Sequence, residues 1–258
     1  MKTILSAGLI ALAAGTAMAG TVQLGVTPLA GGTTAMNARY RGANSGWEQA
    51  MAGTGGTNVA NGYVLNDLSP GINAAWDFSV SFEVGQGYTF TMTRGATVKT
   101  LIWRNDVAAP NGQNKVTMSD GDAATDNAVN SLRLVATARD FAGRAMNITN
   151  LSFTAAGQTI TGSLSDVNAL SAGGFASSST AIVSSTDMRS FNWTLSGTLE
   201  GINPVGAGTN ISERIKFDIY AEQNGNYVII PLPGAAWAGM AGLATLGVAQ
   251  RIRRRKMA

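Results

Sequence analysis

The sequence predicts an all-β protein: an antiparallel β-sandwich of jelly-roll type, with an export signal before it and a transmembrane helix after it. Three observations predict this. Apolar and polar residues alternate with a period of two in one segment after another. Glycine is abundant, at 32 of 258 residues, while only 13% of residues are charged. The two ends also differ in composition from everything between them, which divides the chain into residues 1–19, 20–229 and 230–258.

The first segment, MKTILSAGLIALAAGTAMA, has Lys2 as its positive start, an apolar run from Ile4, and small residues Ala17 and Ala19 in A-x-A spacing. Those three parts define a secretory signal peptide cleaved after Ala19, with signal peptidase as the first expected partner. Export sets the chemistry available to the body. There is no Cys, so no disulfide and no amino-terminal lipid anchor, and no His, so ligand sets and acid–base pairs built on either are excluded. Six of the 18 cations are Lys2, Arg251, Arg253, Arg254, Arg255 and Lys256, which leaves 12 against 15 acids in the body. The high isoelectric point belongs to the termini, and nucleic acid is not an expected partner.

Within the body, Trp76, Phe78, Val80 and Phe82 alternate with Asp77, Ser79, Ser81 and Glu83. Gly85-Gln86-Gly87 then turns the chain, and Tyr88, Phe90 and Met92 alternate with Thr89, Thr91 and Thr93, which predicts a hairpin. Further strands are expected at 98–103, around Leu132 and Leu134, at 147–153, at 158–164, from Phe191 through Leu199, and around Ile215, Phe217 and Ile219. That makes about eight strands, each with one apolar face, and two such sheets must pack together to bury those faces. Short helices are expected at Ser45–Met51 and near Asn127–Ser131, and loops at 27–32, 53–61 and 171–179.

The last segment runs IPLPGAAWAGMAGLATLGVAQRIRRRKMA. Between Gly234 and Gln250 only Thr245 and Gln250 are clearly polar. As a helix this stretch reaches about 25 Å at ~1.5 Å per residue, slightly short of a ~30 Å hydrocarbon core. Pro231 and Pro233 suit a helix start, and the basic end at Arg251, Arg253, Arg254, Arg255 and Lys256 stays cytoplasmic by the positive-inside rule. The body is thus expected outside the inner membrane with the tail crossing inward.

Pro231-Leu232-Pro233-Gly234 with Trp237, the apolar helix and the arginines resembles a carboxy-terminal sorting signal of the PEP-CTERM class, in its Val-Pro-Leu-Pro-Ala variant. Ile230 stands where that variant has Val, and Gly234 where it has Ala. The resemblance implies recognition by an exosortase, a membrane cysteine protease, and cleavage near the motif, so that the anchor is transient and the body ends at the cell surface or outside the cell. AVNSLRLVATAR, NITNLSFT and the ERIKFDIYA stretch resemble the secreted choice-of-anchor domains, type W. That resemblance covers Trp76 to Ala221 and implies a small β domain in the envelope or extracellular matrix.

Other constellations are weaker. Asp120, Asp122 and Asp126 offer hard oxygen ligands suited to Ca²⁺, but Ala124 and Thr125 stand where an EF-hand loop needs its fifth-position ligand and its glycine. Trp76 and Trp193 alternate with polar neighbours, which predicts core packing; Trp103 is a further candidate, and Trp47, in a glycine-rich stretch, is the better candidate for a sugar-stacking platform. Asn147-Ile-Thr, Asn192-Trp-Thr and Asn210-Ile-Ser match the glycosylation sequon by coincidence in an Asn- and Thr-rich chain. Among the glutamates, Glu48, Glu83, Glu200, Glu213 and Glu222, no pair is singled out for glycoside hydrolysis, and Glu83 and Glu213 fall in strand patterns beside basic residues. No cofactor motif is present. The two resemblances imply a structural or adhesive role in a polysaccharide-rich envelope or biofilm; a carbohydrate-binding module is the second reading and an extracellular hydrolase the third.

Overall fold

The structure, a computed structural model, describes residues 20–42, 47–52, 64–68, 73–103, 115–118, 128–208, 211–225 and 227. Among these it is all-β, with fifteen strands and one 3-10 turn at Met188–Ser190. The strands are β1 (Thr21–Val26), β2 (Thr33–Gly42), β3 (Trp47–Ala52), β4 (Val64–Asp67), β5 (Ala75–Glu83), β6 (Gly87–Arg94), β7 (Thr97–Trp103), β8 (Lys115–Met118), β9 (Ser131–Ala138), β10 (Ala145–Ala155), β11 (Thr159–Thr161), β12 (Val167–Leu170), β13 (Ala176–Ser184), β14 (Trp193–Ile202) and β15 (Ile215–Gln223). They form an eight-stranded sheet, β11-β1-β13-β9-β15-β2-β3-β4, and a seven-stranded sheet, β12-β10-β14-β5-β6-β7-β8. The β1–β11 and β7–β8 pairs are parallel and the others antiparallel.

Alternation decides which face is buried. In β5, Trp76, Phe78, Val80 and Phe82 are buried and Asp77, Ser79 and Ser81 face outward; β14 follows the same pattern from Trp193 to Ile202. From the other sheet Leu132, Leu134, Ile215, Phe217 and Ile219 join the same core. The sheets meet directly. Phe78 packs edge-on against Phe217 with centroids 5.4 Å apart, and the Gln49 Nε2 donates to the Phe90 carbonyl at 2.7 Å. This is a β-sandwich-like arrangement. Each such side chain taken from water contributes about 1.5–3 kcal/mol, so this inner layer outweighs any single surface ion pair.

Several expectations are corrected. The helix expected at Ser45–Met51 is replaced by β3, whose backbone pairs with both β2 and β4. Helix-favouring Glu48, Gln49, Ala50 and Met51 are overridden because the strand buries Trp47, Gln49 and Met51 between the sheets. Of the helix expected near Asn127–Ser131, residues 128–130 are irregular and Ser131 opens β9; the Val129 N–H is held by the Asp187 carboxylate instead of a helical carbonyl. The loop expected at 171–179 gives way at Ala176 to β13, since Ser177 and Ser179 lie on an outward face where polar residues are at home. The strand expected at 158–164 is only Thr159–Thr161. The hairpin loop is Val84–Gln86, one residue earlier than expected, with Gly85 in the left-handed region at φ +76°. The strand count rises from about eight to fifteen, and the expected loop at 53–61 lies outside the described residues.

Candidate functional site

The signal-cleavage residues Ala17 and Ala19, the sorting motif Pro231, Leu232, Pro233, Gly234 and Trp237, the basic stop Arg251, Arg253, Arg254, Arg255 and Lys256, and the Ca²⁺ candidates Asp120, Asp122 and Asp126 all lie outside the described residues. Among the described residues, no helix is long and apolar enough to cross a membrane, and no three carboxylates are grouped to hold a metal ion.

The tryptophans divide differently from expectation. Trp76 and Trp193 are buried in the core, as their alternation predicts. Trp47 is not a surface platform. It is fully buried, stacked on Tyr40 with centroids 4.8 Å apart and ring planes 4° from parallel, and seated on the bare backbone of Gly201. The glycines around Trp47 suggested a loop, but β3 pulls the ring inward. The exposed aromatics among the described residues are instead Phe175 and Phe141, at one end of the sandwich. There the buried Arg144, in the β9–β10 connection, ties that connection to the one between β14 and β15, donating to Asn203 Oδ1 (2.9 Å), the Arg139 carbonyl (3.3 Å) and the Ala207 carbonyl (2.6 Å).

The outward face of the seven-stranded sheet is a field of hydroxyls. Strand register aligns Ser152, Ser196, Ser79, Thr91 and Thr100 in one row, and Thr154, Thr194, Ser81 and Thr89 in the next. A cleft of about 470 Å³ at its edge is lined by Ser81, Glu83, Thr154 and Asn192 among others. The Asn192 Oδ1 there already accepts the Val84 N–H at 2.8 Å.

The outward face of the eight-stranded sheet carries charge. Arg39 and Arg41 of β2 meet Glu48, Glu213 and Asp218 in one network. Glu213 sits in the turn before β15 at φ +56°, not in a strand as its neighbours suggested. Burial opposes its ionisation, but the charges of Arg39 and Arg41 outweigh that and hold its carboxyl below the usual range. A general acid needs the opposite shift, so this network is suited to holding strands together rather than to delivering protons.

Next to that network lies a second cleft, of about 420 Å³. Its floor is Arg133 and Val135 of β9, Ser177 and Ser179 of β13, and Glu222 of β15; its wall is the loop Pro28 to Gly32. Arg133 donates from Nε to both Glu222 oxygens (3.2 Å each) and from Nη2 to Oε1 (2.6 Å). Its guanidinium also lies over the Tyr220 ring at 4.2 Å. Burial would lower the Arg133 pKa, but the Glu222 bond reverses that and raises it, so the guanidinium stays charged. Glu222 is 2% exposed, while the Arg133 side chain is 29% exposed at the surface. The wall is pinned at Leu29, whose N–H donates to Tyr227 Oη (3.1 Å) and whose carbonyl accepts from Asn224 Nδ2 (3.0 Å). Gly32 packs closely there: a Cβ would stand 3.1 Å from the Glu222 carboxylate and would push that side chain by a few tenths of an ångström.

Sequence reasoning does not find this cleft. Arg133 and Glu222 occupy polar slots of two alternating segments far apart in the chain, and they become neighbours only when β9 pairs with β15, Arg133 opposite Tyr220 and Ser131 opposite Glu222. The available signal is charge at mid-strand polar positions in otherwise low-charge strands. The chain matches no family model and no curated protein sequence.

Proposed function

We propose that this is an exported bacterial protein, sorted to the cell surface, with a structural or adhesive role in the envelope or extracellular matrix. The observation that carries the proposal is the pairing of a signal sequence ending at Ala19 with the Pro231-Leu232-Pro233-Gly234 motif, apolar run and basic stop. In this reading signal peptidase and an exosortase-type membrane protease process the two ends, and the inner membrane holds the tail between those events. The body is a choice-of-anchor-like domain with a jelly-roll core. Strand order supports the jelly-roll part of that reading: β2-β15-β9-β13 in one sheet and β5-β14-β10-β12 in the other is the arrangement two Greek keys produce when wrapped into a sandwich. The remaining strands extend these eight at the sheet edges.

The experiment is intact mass of the protein from each fraction of its native host. A mass ending near Pro231 to Gly234 in surface or medium fractions is the expected result. Retention of Arg251 to Ala258 on membrane-bound protein overturns the sorting reading, and full-length protein in the cytoplasm overturns export.

A second reading, a carbohydrate-binding module, is favoured by one observation: a polar cleft of saccharide size between the Pro28–Gly32 loop and the Arg133–Glu222 pair.

A further inference from the structure

We propose that the cleft over Arg133 and Glu222 is a binding site for one or two rings of a neutral, hydroxyl-rich saccharide. This deepens the carbohydrate-binding reading by giving it a place and a ligand class.

Four features point to that ligand. The volume, about 420 Å³, is in the range of small-molecule sites and suits one or two sugar rings. The floor offers a donor and an acceptor side by side, and a vicinal diol needs both, since each hydroxyl donates once and accepts twice. Arg133 uses Nε and Nη2 on Glu222, which leaves further N–H groups of the guanidinium for a ligand oxygen. The Glu222 carboxylate, 2% exposed and bonded three times by Arg133, fixes the guanidinium from below, and the acceptors beside that guanidinium at the surface are the exposed hydroxyls of Ser177 and Ser179.

Charge selects within that class. Arg133 and Glu222 cancel, and the rest of the lining is Pro28, Leu29, Ala30, Gly31, Gly32, Val135, Ser177 and Ser179. An anionic sugar has no uncompensated cation to meet, and a cationic one no uncompensated carboxylate, so the neutral ring loses least on leaving water. The wall also matches. Pro28 and the 40% exposed Leu29 present apolar surface beside the polar floor, and a pyranose has apolar C–H faces beside its hydroxyl rim. Finally, the site is held ready. Tyr227 and Asn224 pin the wall, Tyr220 backs the guanidinium, and Ser177 is fixed by its bond to the Ala136 carbonyl (3.1 Å).

The test uses the full-length protein in a detergent without a sugar headgroup. The probes are cellobiose, maltose and N,N′-diacetylchitobiose, with glucuronic acid and glucosamine as charged comparisons. Binding is read from NMR shifts of the Arg133 side-chain N–H. At least one neutral disaccharide is expected to shift that resonance, saturating with a dissociation constant on the order of 1 mM, as a shallow site with few contacts allows. Ser179→Trp fills the cleft from its exposed position on β13, and is expected to weaken binding roughly tenfold or more while leaving the circular dichroism spectrum unchanged. Ser196→Trp, on the other sheet, is expected to change nothing. No shift with any neutral probe overturns the proposal, as does binding unaffected by Ser179→Trp. Tighter binding of glucuronic acid or glucosamine overturns the neutral selectivity. None of these outcomes alters the mass of the protein in its host, so this site and the sorting reading fail separately.

Discussion

Arg39 and Asp218 stand opposite each other on β2 and β15, guanidinium Nε bonded to carboxylate Oδ1 on the outward face of the larger sheet. Asp218 is 1% exposed, and its second oxygen lies 3.5 Å from Lys216 Nζ. Two central strands are therefore joined by a charge pair as well as by their ladder. A buried pair of this kind adds little over apolar residues, but removing one member strands the other. Asp218→Ala is expected to cost about 3–5 kcal/mol in urea unfolding, and the double change Arg39→Met with Asp218→Leu clearly less than that. Equal costs for the two would mean that Arg39 relaxes into water when its partner is lost.

The same pair explains what the sequence could and could not reveal. Strands with one polar and one apolar face, such as β5, β6 and β15, are legible because water and core read alternate residues. β2 is not. Asn37 and Arg39 are buried on its outward face alongside the inward Met36, Ala38 and Tyr40, so the alternation vanishes into a run of buried residues. β13 fails for the opposite reason: Ser177, Ser178 and Ser179 give it a polar start that reads as loop. The Arg133–Glu222 floor depends on strand register, which one-dimensional patterning does not encode.

Gly201 and Trp47 give a prediction of the packing. A Cβ at Gly201 would lie 2.1 Å from the Trp47 ring, and that ring is held flat against Tyr40. Gly201→Ala therefore forces the stack to move within a filled core. A loss of about 1–3 kcal/mol is expected, together with a changed near-ultraviolet circular dichroism signal from the displaced indole. Unchanged stability would mean that the space above Gly201 is more open than the Trp47 contact implies.

Acid sensitivity follows from Glu213 and Asp187. Burial resists ionisation of both, and salt links to Arg39 and Arg41 for Glu213, and hydrogen bonds from Arg189 and the Val129 N–H for Asp187, more than offset it. Each folded-state value is thus depressed below its ordinary 4.5 or 3.8. In that window the unfolded chain binds more protons, so the stabilisation is complete above about pH 5 and is lost as pH falls through the folded values. Both side chains are a third exposed, so each contribution is below about 1 kcal/mol. Melting temperature from about pH 6 down to pH 3 is expected to fall less steeply in Asp187→Asn, which keeps an oxygen for the Val129 and Arg189 N–H groups without the charge. A slope identical to wild type would assign the acid limb to other carboxylates.

Tyr227 links the cleft to the segment that leads toward Pro231. Its hydroxyl accepts the Leu29 N–H, so the wall of the cleft is fastened by a residue just beyond β15. Cleavage near Pro231 to Gly234 would leave this fastening in the mature protein. Tyr227→Phe removes one partly exposed hydrogen bond, which is expected to cost no more than about 1 kcal/mol of global stability. The loss should appear locally. Amide exchange at Leu29 is expected to rise up to about fivefold, because the loop then opens without unfolding the sheet. Exchange in β9 and β15 should stay unchanged, since their ladder does not involve Tyr227. Unchanged exchange at Leu29 would mean that the Asn224 bond to the Leu29 carbonyl suffices to hold the wall.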